Sequence, residues 1–217
     1  MTIYSGKFIT FEGGEGTGKT TQIKMLKSYL EEKKYSVMTS REPGGTEISE
    51  TIRTLLKDPK YKRIMSKRAE LMLFEAARCQ ITKQILKPLL KKGKIIIFDR
   101  FYDSTTVYQG YGRRIGMNLI KQLNDFATEG IRPDLTFLLD VSPETGLQRS
   151  VKTEFGGKVD RMEAEGIPFH RKIRAGYLKV AESYPERFKV IDTEKNNIEQ
   201  VHKIICGYVD NLLSKNP

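Results

Sequence analysis

A glycine-rich segment, GGEGTGKTT at positions 13–21, has the residue types and spacing of a phosphate-binding loop. Gly13, Gly18, Lys19 and Thr20 satisfy the P-loop pattern G-x-x-x-x-G-K-[ST]. Glycines allow positive φ angles, which point several backbone N–H groups into one concavity that fits phosphate oxygens. The lysine can bridge the β- and γ-phosphates of a nucleotide, and the threonine hydroxyl can bind Mg²⁺. The segment therefore predicts a nucleoside triphosphate site.

The segments on either side of this loop favour a phosphate site over a glycine-rich turn that binds nothing. KFITFE, residues 7–12, has the pattern of a short buried strand, and Ile23, Leu26 and Leu30 recur with helical spacing. A dinucleotide-binding fingerprint is excluded, because Lys19 stands where its third glycine would be. The residues expected to contact ATP are Gly13, Gly14, Glu15, Gly16, Thr17, Gly18, Lys19 and Thr20.

The composition is that of an ordinary soluble globular protein. Its 217 residues are 38% hydrophobic and 30% charged, which predicts one domain over 1–217 with a substantial core. No apolar run is long enough to span a membrane, and the N-terminal segment lacks the apolar region of a signal peptide. Cys79 and Cys206 are too few and too far apart to indicate a disulfide framework or a zinc site. We expect a cytoplasmic enzyme.

The net charge of +11 fits two kinds of partner, nucleic acids and small polyanions. The basic segments DPKYKRIMSKR (58–68) and KPLLKKGK (87–94) have the character of solvated loops and helix ends. They lack the regular interleaving of aromatic residues that a base-stacking surface requires. A small polyanion is therefore favoured, and a nucleic-acid-binding P-loop ATPase is the alternative.

Strands and helices alternate along the chain, which predicts a doubly wound α/β fold around a parallel sheet of about five strands. The expected strands are 7–12, 36–40, 94–99, 133–141 and 188–193, and the expected later helices are 49–57, 66–90 and 198–212. Ligands of such folds bind beyond the carboxyl ends of the strands. The P-loop, REPGGT (41–46) and DRFYDS (99–104) all follow strands, so we expect them to meet in one cleft.

Three classes of P-loop protein are compatible with this fold: switch GTPases, remodelling ATPases and small-molecule kinases. The sequence contains neither the N-K-x-D nor the D-x-x-G motif of a GTPase. A remodelling ATPase pairs its strand-end aspartate with a carboxylate that activates water, whereas Asp99 is followed by Arg100. Arg53 and Arg100 match the geometry of a second phosphate, which indicates phosphoryl transfer to an anionic acceptor. A phosphate acceptor, with a second pKa of about 6, needs no general base. His170 and His202 are expected on exposed helix faces without a catalytic role.

Six segments occur in the order and spacing found in bacterial thymidylate kinases: FEGGEGTGKTT, REPGGT, AELMLFEAARCQ, DRFYDSTTVYQG, RPDLTFLLDV and DRME. The resemblance extends from about Lys7 to Asp192. It implies the P-loop nucleoside-monophosphate kinase fold, with a five-stranded parallel sheet, helices on both faces and a short lid at about 150–161. It also implies transfer of the γ-phosphate of ATP to thymidine monophosphate (dTMP) with Mg²⁺, by a homodimer.

The resemblance also implies which residues bind the acceptor nucleoside. Phe74 would stack on thymine, and Arg78, one helical turn later, would donate to its O4. A donor there favours thymine over cytosine, which carries an amino group at that position. Tyr108 would crowd C2′ and so disfavour ribonucleotides, and Thr105 and Gln109 would lie near the base.

The resemblance further implies which residues bind the acceptor phosphate, the sugar hydroxyl and the metal. Arg53 and Arg100 would bind the acceptor phosphate, and Glu15 would accept from the 3′-hydroxyl of the acceptor sugar. Thr20 and Asp99 would hold Mg²⁺, the aspartate through water.

Some thymidylate kinases carry an arginine directly after the acidic residue of the P-loop, but here that residue is Gly16. The resemblance is therefore to the type without this arginine, and the missing cation is expected from the lid side. The candidates there are Arg149, Lys152, Lys158 and Arg161, and the two arginines are preferred because a planar guanidinium can span two phosphate oxygens. The residues expected in catalysis are Lys19, Asp99, Arg100, Arg149 and Arg161.

Overall fold

The computed structural model describes residues 4–153, 160–162 and 164–214. Five parallel strands form a single sheet with the order β2-β3-β1-β4-β5. They are β1 (Lys7–Glu12), β2 (Val37–Arg41), β3 (Ile95–Asp99), β4 (Leu135–Asp140) and β5 (Phe188–Asp192). All five lie where the sequence pattern predicts them, and the predicted fold class is confirmed.

Helices connect the strands. The helices are α1 (Lys19–Glu32), α2 (Glu47–Lys57), α3 (Lys67–Ile81), α4 (Lys87–Lys91), α5 (Tyr102–Thr105), α6 (Met117–Ala127), α7 (Pro143–Thr153), α8 (Ile167–Ser183) and α9 (Ile198–Ser214). Two π-helical segments, Thr82–Leu86 and Thr106–Gly112, and a 3₁₀ turn at Pro59–Tyr61 lie between them. Among the described residues, no helix has the length and apolar character needed to cross a membrane.

The helix predicted over 66–90 is built from α3, the first π-helical segment and α4. Ser66 caps its start by accepting from the backbone N–H of Ala69. The π-helical turn comes directly before α4, where Pro88 removes a backbone donor from the first turn. The helix is therefore widened by one π-helical segment just before Pro88.

Helices cover both faces of the sheet, which explains the continuous apolar strands. Ile9 and Phe11 of β1 pack with α1 and α9 in one core cluster. Phe8 points the other way and packs with the segment around α4 and the start of α5 in a second cluster. A third cluster joins β4 to α8. Because every strand runs in the same direction, the polar residues that follow β1, β2 and β3 all emerge at one edge.

Candidate active site

A cavity of about 1000 Å³ opens at the carboxyl edge of the sheet. This volume is at the upper end for ligand sites and has room for two nucleotides. Most predicted site residues line it: Glu15, Gly16, Thr17, Gly18, Lys19, Thr20, Arg53, Phe74, Arg78, Asp99, Arg100, Thr105, Tyr108, Gln109 and Arg149. Three predicted residues, Gly13, Gly14 and Arg161, do not line it. The cleft expected from the strand ends is therefore present, and the roles of its residues stay predictions.

The P-loop has the backbone that its glycines permit. Gly13, Gly16 and Gly18 have φ angles of 138°, 63° and 88°, in the region that disfavours other residues. Helix α1 begins directly after Gly18, so its N-terminal N–H groups face the cleft. The Lys19 Nζ atom donates to the carbonyl oxygens of Gly13 (3.3 Å) and Gly14 (2.7 Å). The lysine is thus held against the loop, in position to exchange these partners for phosphate oxygens.

Helix α7 packs directly on the P-loop at a contact between two glycines. A Cβ atom on Gly16 would lie 2.0 Å from the carbonyl oxygen of Gly146 and 3.0 Å from Cβ of Arg149. In the other direction, a Cβ atom on Gly146 would lie 2.5 Å from the carbonyl oxygen of Glu15. Both positions therefore require glycine, and the close contact brings α7 with Arg149 to the edge of the cleft.

The oxygens suited to Mg²⁺ lie where α1 and β3 meet. The Thr20 hydroxyl is 3.5 Å from Oδ2 of Asp99, and both residues line the cleft. A hydroxyl and a carboxylate are hard oxygen ligands of the kind that Mg²⁺ takes in addition to nucleotide phosphates. The two side chains therefore fit the predicted metal role.

Arg100 has an unusual backbone that aims its side chain into the cleft. Its φ of 71° is left-handed, which costs a non-glycine residue about 1–2 kcal/mol and often marks a functional site. The backbone N–H of Arg100 donates to the carbonyl of Phe11 at 2.9 Å. Its guanidinium donates to Oε1 of Glu15 at 2.9 Å and to the hydroxyl of Tyr177 at 3.0 Å.

Glu15 and Tyr108 both contact Arg100. Burial alone would raise the pKa of Glu15, but the charges of Arg100 and Lys19 outweigh it and lower that pKa. Glu15 is therefore ionised and can accept hydrogen bonds, including one from the Tyr108 hydroxyl at 3.4 Å. The Tyr108 ring lies with its centroid 5.4 Å from the guanidinium carbon of Arg100, within cation–π range.

Arg78 is buried at the other end of the cleft and is fully hydrogen bonded. It is 1% exposed, and Phe74, on the same helix, is half-buried and lines the cleft beside it. The acceptors of its five N–H groups are Glu42 Oε2 (2.8 Å), Glu75 Oε1 (2.9 Å), Asn124 Oδ1 (3.1 Å), Thr105 Oγ1 (3.0 Å) and the Phe101 carbonyl (3.5 Å). The contact to the Phe101 carbonyl is the longest, so the Arg78 N–H group that makes it is the one most easily transferred to a ligand.

The two preferred arginines on the lid side have different surroundings. The guanidinium of Arg149 lines the cleft and donates to the Thr193 carbonyl at 3.3 and 3.4 Å. Arg161 is 2% exposed and donates to the Leu56 carbonyl at 2.7 Å and to Oε2 of Glu70 at 2.5 Å. Of the predicted lid, residues 154–159, including Lys158, and the side chain of Lys152 lie outside the described residues.

Arg53 and Gln109 line the cleft, and each is held there by a hydrogen bond to a neighbouring segment. Arg53 Nη1 donates to the Pro43 carbonyl at 2.8 Å, which ties α2 to the loop after β2. The Gln109 amide donates to Oε1 of Glu70 at 2.8 Å.

Several residues around the site were not found from the sequence. Those that hold Arg78 and Arg100 in place are Glu12, Glu42, Glu75, Ser104, Asn124 and Tyr177. Others that line the cleft are Gln22, Thr193, Asn196, Asn197, Ile198 and Val201. The position of Glu75, three residues before Arg78, was a signal for an ion pair. The expectation for His170 was wrong: it is buried on α8 rather than exposed, because α8 packs on the sheet.

The comparisons with known proteins agree with this geometry. A model of the thymidylate kinase family matches residues 11–205. The chain belongs to the thymidylate kinase family. A thymidylate kinase from Geotalea uraniireducens is 48% identical over 190 residues, covering 86% of this chain and 89% of its own length. One from Caldanaerobacter subterraneus subsp. tengcongensis is 40% identical over 208 residues, covering 96% and 97%.

A solved structure of a family member shows the same fold. The crystal structure of thymidylate kinase from Ehrlichia chaffeensis matches with a TM-score of 0.74 and 36% identity, covering 94% of this chain and 98% of that one. The resemblance of the sequence to thymidylate kinases is thus confirmed, and the chain is an enzyme of the kinase class.

Proposed function

We propose that this thymidylate kinase family member transfers the γ-phosphate of ATP to dTMP, giving thymidine diphosphate and ADP. The observation that carries the proposal is one continuous cleft with the P-loop at one end and the pair Phe74 and Arg78 at the other. Arg100 lies between them, where two phosphates would meet. Both nucleotides are cytoplasmic metabolites, and we propose that compartment for the enzyme.

The residues of the cleft divide the reaction between them. Arg100 and Arg53 bind the acceptor phosphate, and Lys19 binds the phosphoryl group that moves. Thr20, and Asp99 through water, would hold Mg²⁺, which would neutralise charge on the phosphates of ATP. The acceptor oxygen is ionised at neutral pH, so no proton has to be removed from it. The protein has to align the two substrates and neutralise the charge of their phosphates.

Glu15 and Tyr108, which both contact Arg100, select the sugar of the acceptor. An ionised Glu15 accepts a hydrogen bond from the 3′-hydroxyl of the acceptor. The ring of Tyr108 is fixed against Arg100 and fills the space beside C2′. Together they favour a deoxyribonucleotide acceptor.

A coupled assay of ADP release across the nucleoside monophosphates tests the proposed function. We expect dTMP to be the best acceptor with Mg²⁺ and ATP. A different preferred monophosphate would assign the chain to a kinase for another nucleotide. Turnover stimulated by DNA, with no monophosphate accepted, would instead support a nucleic-acid-binding ATPase.

Arg78→Lys should reduce the preference for thymine. The lysine keeps a positive charge near Glu42 and Glu75, so no buried carboxylate is left unpaired. It removes the planar fork that donates to O4, which should reduce discrimination against cytosine by about 1–3 kcal/mol. The measurement is the ratio of kcat/KM for dTMP to that for dCMP. An unchanged ratio in a folded variant would refute the base-reading role.

We also propose a homodimer formed through α2, α3 and α6. These helices pack on one another and expose large apolar side chains: Ile48, Leu55, Met72, Leu119 and Phe126. Burial of such a surface against a second copy explains why it is apolar. Light scattering at micromolar concentration should give the mass of a dimer, and Phe126→Asp should shift it toward the monomer. A monomer mass for the wild type would contradict the proposal.

A further inference from the structure

A fully buried carboxylate, Glu12, lies at the end of β1 behind the acceptor-phosphate site. Its Oε1 atom accepts from the backbone N–H of Phe101 at 2.8 Å. Its Oε2 atom accepts from the hydroxyls of Ser104 at 2.7 Å and Tyr177 at 2.8 Å. Both carboxylate oxygens therefore face donors, and these hydrogen bonds favour the ionised form of the side chain, whereas its burial opposes ionisation.

The direction of these hydrogen bonds determines what the two hydroxyls can do for Arg100. Each hydroxyl has one proton, and when that proton points at Glu12 only lone pairs remain for other partners. Arg100 Nη1 donates to the hydroxyl oxygens of Tyr177 at 3.0 Å and Ser104 at 3.3 Å. A guanidinium has donors only, so it needs acceptors oriented in this way.

The same carboxylate also fixes the backbone of Arg100. Glu12 holds the N–H of Phe101, the residue that follows the left-handed Arg100. Side chain and backbone of the arginine are thus anchored from one buried group. Tyr177 contributes from α8, a helix that supplies none of the predicted site residues.

We propose that Glu12, Ser104 and Tyr177 are positioning residues that orient Arg100 toward the phosphate of the acceptor nucleotide. The proposal rests on the proposed function, since it assigns to Arg100 the binding of that phosphate. Burial and the neighbouring Asp103 raise the pKa of Glu12, against the opposing effect of Arg100. Because this pKa is raised to about 7, the experiments should be done at about pH 8, where most of the carboxylate is ionised.

Tyr177→Phe tests the proposal with the smallest change. The ring is 1% exposed and stays in the core, while the closer of the two hydroxyl acceptors of Arg100 Nη1 is lost. We expect the Kd and KM for dTMP to rise about tenfold, with KM for ATP unchanged. Tyr29→Phe is the matched control, because it removes a hydroxyl-to-carboxylate hydrogen bond to Asp210 between α1 and α9. It should leave all of these constants unchanged.

A double-mutant cycle separates positioning from general support of the fold. In an Arg100→Ala background, Tyr177→Phe should cause no further loss of dTMP affinity, measured by calorimetry. Glu12→Gln should resemble Tyr177→Phe, because an amide in this place must direct its NH₂ group at another donor.

Two results would overturn the inference. One is an unchanged dTMP affinity in Tyr177→Phe; the other is the same fold-loss with and without Arg100. A wild-type enzyme that does not phosphorylate dTMP would instead count against the proposed function.

Discussion

Gly16→Ala should abolish ATP binding and lower the free energy of unfolding by more than about 3 kcal/mol. Two effects add at this position. The φ angle of 63° is strained for any residue with a Cβ atom, and that atom would lie 2.0 Å from the carbonyl oxygen of Gly146. The clash is with backbone, which cannot turn aside as a side chain does. Either α7 or the P-loop has to move, and the phosphate-binding N–H groups move with the loop.

Gly130→Ala is the matched control for this prediction. Gly130 has a φ of 73°, but a Cβ atom there would meet nothing within 4 Å. The Gly130→Ala variant has the backbone strain without the clash, and its free energy of unfolding should fall by about 1–2 kcal/mol. The measurements are chemical unfolding and titration with ATP. Equal losses of stability in the two variants would show that the contact with α7 is unimportant.

Arg149→Ala should lower kcat by about 10²–10³ while changing KM for dTMP little. Charge builds on the oxygens of the moving phosphoryl group, and the P-loop offers Lys19 but no arginine. Arg149 lines the cleft, and its two contacts to the Thr193 carbonyl, at 3.3 and 3.4 Å, are long enough to be exchanged for phosphate. We propose that this arginine supplies the missing cation when the site closes.

Arg171→Ala is the control for the loss of a positive charge. Arg171 is exposed on α8 and pairs with Glu144 of α7, so its removal should leave kcat unchanged. Steady-state kinetics with both substrates varied distinguishes the outcomes for Arg149. A higher KM for ATP with normal kcat would assign Arg149 to binding of the donor nucleotide, and the catalytic role would be wrong.

The surroundings of Arg161 change its expected role. In the described residues it is buried, and it holds Glu70 and the end of α2. Removal of its charge would leave Glu70 with fewer partners in a buried place, which destabilises the fold. Arg161 is therefore expected to anchor the end of the predicted lid, and Arg149 is the better candidate for catalysis.

The strands and the P-loop could be predicted because their signals are local. An unbroken apolar run such as IIIF predicts a strand covered on both faces, and glycine spacing predicts a phosphate loop. The predicted cleft follows from these strands, since parallel strands end at one edge.

The partners of Arg78 and Arg100 could not be predicted in the same way. Glu42 and Asn124 lie 36 and 46 residues from Arg78 along the chain, and Tyr177 lies 77 residues from Arg100. The packing of α3 against α6 brings Asn124 to Arg78, and the packing of α8 against the segment after β3 brings Tyr177 to Arg100. A sequence pattern identifies an arginine that could bind a ligand, but not the acceptors that hold it in place.

The glycine contact between the P-loop and α7 also limits how this enzyme could evolve. The atom that excludes a side chain at position 16 is the main-chain oxygen of Gly146. No substitution at position 146 can therefore make room for a side chain at position 16. A descendant with an arginine in the loop would first need a displaced helix after β4. A variant with only the loop substitution would have the clash between position 16 and the Gly146 carbonyl oxygen, but no correctly placed arginine. If Arg149 supplies the cation as proposed, a change to a P-loop arginine would require coordinated changes in the loop and in the helix.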